Sequence, residues 1–217
     1  MIESVTNFTD LFSPAIALDL LAKLELQDYQ QYDKSLIKLC FNDIQPLNRL
    51  DEKGATDDLI ALFNCLFLSQ NVILVRGDDE PEYFAATKLQ PARIVFAHGF
   101  FASALHELSH WCIAGQKRRK LNDFGYWYAP DGRSEAQQAA FEQVEIKPQA
   151  LECLFTLSCL RHFQVSQDNL FADFDTSSST FAADVYKQVQ SYLIAPELIP
   201  KDAQTLLRAF LTIHYAT

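Results

Sequence analysis

Ile94-Val-Phe-Ala-His-Gly-Phe-Phe-Ala-Ser-Ala-Leu-His-Glu-Leu-Ser-His-Trp-Cys-Ile-Ala-Gly115 opens on a short strand-like run and continues as a helix. Ala102, Ala104, Leu105 and Leu108 are good helix formers, and Gly115 follows the last apolar position as a stop. Within it stands His106-Glu107-Leu108-Ser109-His110, an H-E-x-x-H pattern. An α-helix turns by about 100° per residue, so side chains four apart lie on one face and both imidazoles can reach a single ion. Glu107 falls beside them. Three polar side chains on a helix otherwise made of Ala, Leu, Ile, Trp and Cys are costly to bury unless they share a partner, and a metal ion is such a partner. Gly99 and Ser103 continue the histidine stripe with small residues, which leaves room for a substrate or water.

Outward from that helix, composition bounds the rest. The chain has 217 residues, 49% hydrophobic and 21% charged, with a formal charge of -10, as expected of a globular protein with one sizeable core. That charge argues against broad nucleic-acid or anionic-membrane binding. No stretch approaches a membrane span, and Met1-Ile-Glu-Ser-Val-Thr lacks the basic and apolar regions of a secretory signal, so a cytoplasmic location is expected. The five cysteines, Cys40, Cys65, Cys112, Cys153 and Cys159, are odd in number and scattered, which suggests reduced, buried thiols.

Leu11, Ile16, Leu20, Leu21 and Leu24 have helical spacing over 11–26, with Pro14 in the first turn, and 35–41 is a second apolar piece. Residues 42–54 read as loop, so 1–55 is expected to be an N-terminal helical extension and 56–217 the main domain. Thr56-Asp57-Asp58 suits a helix start ahead of Leu59, Ile60, Leu62, Phe63, Leu66 and Phe67. The period then changes: 71–76, 82–84 and 94–96 read as strands. Gly77-Asp-Asp-Glu-Pro81 reads as an acidic turn, a solvated hairpin loop in preference to a cation site. The predicted architecture is α+β: a single compact domain with a small sheet packed by helices, the H-E-x-x-H helix at its centre and an extra N-terminal helical segment.

Beyond Gly115, Lys117-Arg-Arg-Lys120 complements a helix C-terminus and is also the densest basic cluster of an acidic chain, a candidate docking patch for an acidic partner. Tyr126, Trp127 and Tyr128 either cover core or wall a pocket. A long helical pattern runs from Ser134 to about Leu160, with a kink expected at Pro148. With Phe141 at zero, Val144, Pro148, Leu151 and Phe155 all fall within about 80° of it on the wheel, which defines a buried stripe on either side of Phe141. Glu145 and Glu152 lie inside the stripe and Glu142 on its border. A carboxylate there needs a cation, which makes Glu145 the first choice for a third metal ligand, ahead of Glu152 and Glu142. A salt bridge from Glu145 to Lys147 or Arg161 is the structural alternative. His98 is a spare ligand candidate, whereas His162 and His214 read as ordinary residues. Two further helices are expected, one carrying Phe181, Val185, Val189 and Leu193, the other opening at Pro200.

Several of these runs together resemble one family. Arg76-Gly-Asp-Asp-Glu-Pro-Glu-Tyr83, Arg93 through Gly115, Asp123-Phe-Gly-Tyr-Trp-Tyr128 with Pro130-Asp-Gly-Arg133, and Phe141-Glu142, Val144-Glu145 and Lys147-Pro-Gln-Ala-Leu151 resemble the elongation factor P hydroxylases. The resemblance spans residue 57 to the C-terminal helices and is most specific over 76–151. It implies a bacterial non-haem metalloenzyme that hydroxylates a lysine of translation elongation factor P already bearing a β-lysyl group. It also implies an α+β fold similar to metal-dependent ribonucleases and a ligand set of two histidines and one carboxylate, falling here on His106, His110 and Glu145. Fe(II) with dioxygen as co-substrate is the implied chemistry, with zinc a possible occupant, and Glu107 would orient a ligand or relay a proton.

The same helix also suits a zinc metallopeptidase, with Glu107 as general base. Ile113 and Gln116 stand where the metzincin extension has its glycine and third histidine, which weakens that branch. A metal-dependent hydrolase acting on RNA rests on fold analogy alone.

Overall fold

Strands form where the hydrophobic period switches from helical to alternating. The computed structural model describes residues 7–26, 40, 44–125, 131–175 and 179–216. In it β1 (Val72–Arg76), β2 (Glu82–Phe84) and β3 (Ala92–Phe96) make one sheet in the order β1-β3-β2. β3 pairs in parallel with β1, Val72 opposite Ala92, and antiparallel with β2, Tyr83 opposite Ile94. Val72, Leu74, Ala92, Ile94 and Phe96 alternate inward. The hairpin reading of 77–81 is therefore corrected: the exposed acidic bend joins two strands that are not neighbours, because β3 lies between them.

Side chains close both edges of this small sheet. Asn64 accepts from Leu74 N at 2.7 Å on the outer side of β1. On the other edge, Asp123 and Asn122 accept from Tyr83 N and Ala85 N, each at 3.0 Å. All three contacts satisfy backbone donors that an open edge would leave for another chain.

Six α-helices surround the sheet among the described residues: α1 (Pro14–Leu26), α2 (Glu52–Leu66), α3 (Phe101–Arg118), α4 (Glu135–Ser158), α5 (Phe181–Ile194) and α6 (Lys201–Tyr215). None is long and apolar enough to cross a membrane. α2 begins at Glu52, four residues before the expected Thr56 start, because the Asp51 side chain caps it through Gly54 N. Residue 55, the expected boundary, thus falls inside a helix. Leu20, Leu21 and Leu24 of α1 and Leu47 are buried in the same core as Phe63, Trp111, Phe155 and Phe210, and α1 packs on α6. The second apolar piece, 35–41, lies outside the described residues except for Cys40.

The expectation of five free thiols is also corrected, since Cys40 and Cys65 form a disulfide with Cα atoms 5.9 Å apart. Scattered spacing gave no hint that the fold brings residue 40 against the last turn of α2. Cys112, Cys153 and Cys159 are free and buried, as read from the sequence.

α3 and α4 are the two helices that matter for the site. A 3-10 turn, Ala97–Gly99, leads from β3 into α3, whose first N–H, on Phe101, donates to Glu52 at 2.9 Å. Gly115 sits at φ 65°, ψ 172°, a conformation that glycine adopts without strain, and it breaks the helical path as expected. α4 starts from a Ser134/Gln137 capping box and continues unbroken through Pro148. Its expected stripe is right at Pro148, Leu151 and Phe155 but wrong at Val144, which is 46% exposed. The helix changes character along its length: past Pro148 nearly every residue is buried, so the amphipathic pattern applies only to its first half.

Candidate metal centre

One helical turn separates His106 from His110, and their Nε2 atoms lie 3.0 Å apart. Two nitrogens bound at about 2.1 Å to one ion, at a right angle, stand about 3.0 Å apart. From α4, Glu145 brings Oε1 to 3.4 Å from His110 Nε2 and Oε2 to 3.9 Å from His106 Nε2. Candidate donor atoms from these three residues lie within 4.8 Å of one another, the grouping expected of a shared cation. The Glu145 side chain is 2% exposed, against 12% for His110 and 31% for His106, so the carboxylate is the most deeply buried of the three. Glu145 Oε2 is buried with no hydrogen-bond partner. A buried carboxylate that faces two imidazole nitrogens and has one oxygen without a partner fits a bound cation.

Between these side chains alone the electrostatics follow the same logic. Burial opposes a charged His106, but the hydrogen bond and charge of Glu152, with the charges of Glu145 and Glu107, push it up to about 10. Burial would raise Glu145, yet His110, His106 and Arg133 hold it below the usual carboxylate range. For Glu107 burial wins and the carboxyl is raised, the two histidines only partly offsetting it.

The remaining candidates separate cleanly. Glu152, seven residues after Glu145, meets the other side of His106: its Oε2 lies 2.8 Å from Nδ1. Glu142 turns away, accepting from Gln138 at 3.1 Å and from the Ser179 hydroxyl at 2.7 Å. His98 is exposed, its ring 6.0 Å from that of Phe100, and takes no part in the grouping. Arg161 pairs with Glu52 at 2.8 Å, so the structural alternative of an Arg161–Glu145 bridge is not the arrangement found. Asp78, Asp79 and Glu80 form no ligand cluster among the described residues. Tyr126, Trp127 and Tyr128 lie outside the described residues.

Two contributors were not singled out by sequence. Arg133, 3% exposed, lies over the Phe141 ring, is held by Gln138 and Asp168, and lowers the Glu145 carboxyl from a distance. Glu52 ties the start of α3 to Arg161 just after α4. Arg133 entered the sequence reading only as the last residue of the Pro130-Asp-Gly-Arg133 run of the family resemblance, with no role given to it. Glu52 was read as loop.

A sequence profile for the family described as Elongation factor P hydroxylase matches residues 62–217. The chain belongs to the elongation factor P hydroxylase family. It is 46% identical over 160 residues to a Haemophilus influenzae protein named Elongation factor P lysine hydroxylase, covering 73% of this chain and 88% of that one. The matched range of this hydroxylase family holds the sheet, α3, α4 and all three converging side chains. The resemblance first drawn from short runs of residues is thus upheld over most of the chain. α1 and the first turns of α2 lie before it.

Proposed function

We propose that this protein hydroxylates a lysine side chain of elongation factor P, the one bearing a β-lysyl group, through a non-haem Fe(II) centre and dioxygen. His106, His110 and Glu145 would hold the ion, and a cytoplasmic location suits an enzyme acting on a translation factor. The observation that carries this reading is the convergence of two imidazole nitrogens on a buried carboxylate with one unpartnered oxygen, within a member of this family. Iron(II) held by two histidines and one carboxylate keeps open positions and can change oxidation state, which insertion of an oxygen atom into a C–H bond requires.

The protein's own groups do the rest. Glu145 and His106 orient their donor atoms from two packed helices, so little reorganisation accompanies binding. Glu107, adjacent to His106 and with its carboxyl raised, would hold a proton beside the centre. The overall balance puts one oxygen atom of dioxygen into the C–H bond and releases the other as water, consuming two protons and two electrons from an external reductant.

Intact-mass spectrometry tests this directly. β-Lysylated elongation factor P incubated aerobically with the iron-loaded protein and a reductant should gain one oxygen atom, and His110→Ala or Glu145→Ala should abolish the gain together with metal binding. A folded, iron-loaded protein that adds no oxygen overturns the proposal. Metal-dependent peptide cleavage lost in Glu107→Gln would replace it with the peptidase reading.

A further inference from the structure

We infer that Glu152 is a positioning residue for the centre: it fixes the His106 ring through Nδ1, so that Nε2 is the nitrogen presented toward His110 and Glu145. The inference rests on the metal-centre reading above. A neutral imidazole has one N–H and one lone pair, and the partner of one nitrogen decides the role of the other. With Glu152 Oε2 at 2.8 Å, Nδ1 keeps its proton in that hydrogen bond, so a cation would displace the proton on Nε2 and take up the lone pair there. Nε2 in turn lies 3.0 Å from His110 Nε2 and 3.9 Å from Glu145 Oε2.

The placement follows from the helix. Seven residues return an α-helix to within about 20° of the starting direction, so Glu145 and Glu152 share one face of α4, two turns apart. Because contacts run from His110 with Glu145 to His106 with Glu152, α3 and α4 are antiparallel, and the two acids meet the same ring from opposite sides. Glu152 is anchored between buried Leu151 and Cys153, and its side chain is 14% exposed. The exposed part borders a cleft of about 500 Å³ lined also by Phe101, Ala102, Leu105 and Thr156. A carboxylate in this position sets the ring's orientation and raises the donor strength of the ligating nitrogen, the usual role of an acid hydrogen-bonded to a metal-bound histidine.

The test uses the full chain and zinc as a diamagnetic probe, in competition with a chromogenic chelator. Glu152→Gln, close in size to the native side chain, should weaken zinc binding about tenfold and Glu152→Ala up to about a hundredfold. In nitrogen-15 spectra of the zinc-loaded protein, the hydrogen-bonded Nδ1 proton of His106 should be visible, should shift in Glu152→Gln and should vanish into exchange in Glu152→Ala. Far-UV circular dichroism of each variant checks folding. If both variants bind zinc within about twofold of the parent and leave the Nδ1 signal unmoved, Glu152 has no positioning role. His110→Ala separates the two ideas: loss of zinc there with unaffected Glu152 variants sinks this inference alone, whereas retention of full affinity in His110→Ala sinks the metal centre itself.

Discussion

At the scale of single residues, buried polar atoms are the informative ones. His214, near the end of α6, has a buried Nε2 with no partner, and burial, together with the nearby positive Arg161, pulls its pKa down to about 4. A histidine lowered on folding favours the native state fully above its unfolded value of about 6.5, and that contribution is lost as pH falls toward the folded value. Chemical denaturation should therefore show stability declining between about pH 6.5 and pH 4, with a shallower decline in His214→Asn. Equal slopes in the two proteins would show that His214 is not the group responsible.

The two histidines of the centre were legible because four-residue spacing has a fixed meaning on a helix. Glu145 was legible as an acid on a buried stripe, but choosing it over Glu152 was not settled by the wheel. A wheel gives direction around one axis and says nothing of where a second helix crosses it. The structure assigns the two acids to opposite nitrogens of one ring, a distinction made by distance along α4.

Among elements, α1 invites a sharp measurement. Leu24 is fully buried and belongs to the same core as the helices of the family match, although it precedes that match, which starts at residue 62. Leu24→Ala should lower global stability by about 2–5 kcal/mol in urea unfolding, with a single transition retained. A change below about 0.5 kcal/mol, or a separate early transition, would mark α1 as a dispensable attachment. Helices and strands were mostly visible as periodicity, and local signals acted on their ends: Asp51 begins α2 four residues ahead of the predicted start, and Gly115 breaks the path of α3 where a stop was predicted. Strand order was not visible, because alternation along β1 and β2 reveals which side chains face inward and nothing about β3 inserting between them. The Cys40–Cys65 bond was hidden for the same reason, being a contact between segments remote in sequence.

Considered as a whole molecule, the chain is acidic, with a formal charge of -10, and its basic run at the end of α3 holds two kinds of residue. Arg119 is structural: it lies over the Trp111 ring, donates to Trp111 O at 2.8 Å and pairs with Asp202 at 2.6 Å. Lys117 and Lys120 are exposed. If the run also receives an acidic partner, the double change Lys117→Glu with Lys120→Glu should raise KM for elongation factor P several-fold at low salt. The effect should fade as salt is added, and kcat should hold. Unchanged KM at low ionic strength would return the lysines to a purely local role.

The pairing of α3 with α4 has one more implication. All three candidate donors ride on two antiparallel rods, and a slip of one rod by a single residue is about 1.5 Å, well beyond the roughly 0.5 Å within which such a site must be held. The ion would then act as a gauge of alignment: trimming a buried side chain such as Leu108 or Cys153 should loosen its grip well before circular dichroism registers any loss of helix.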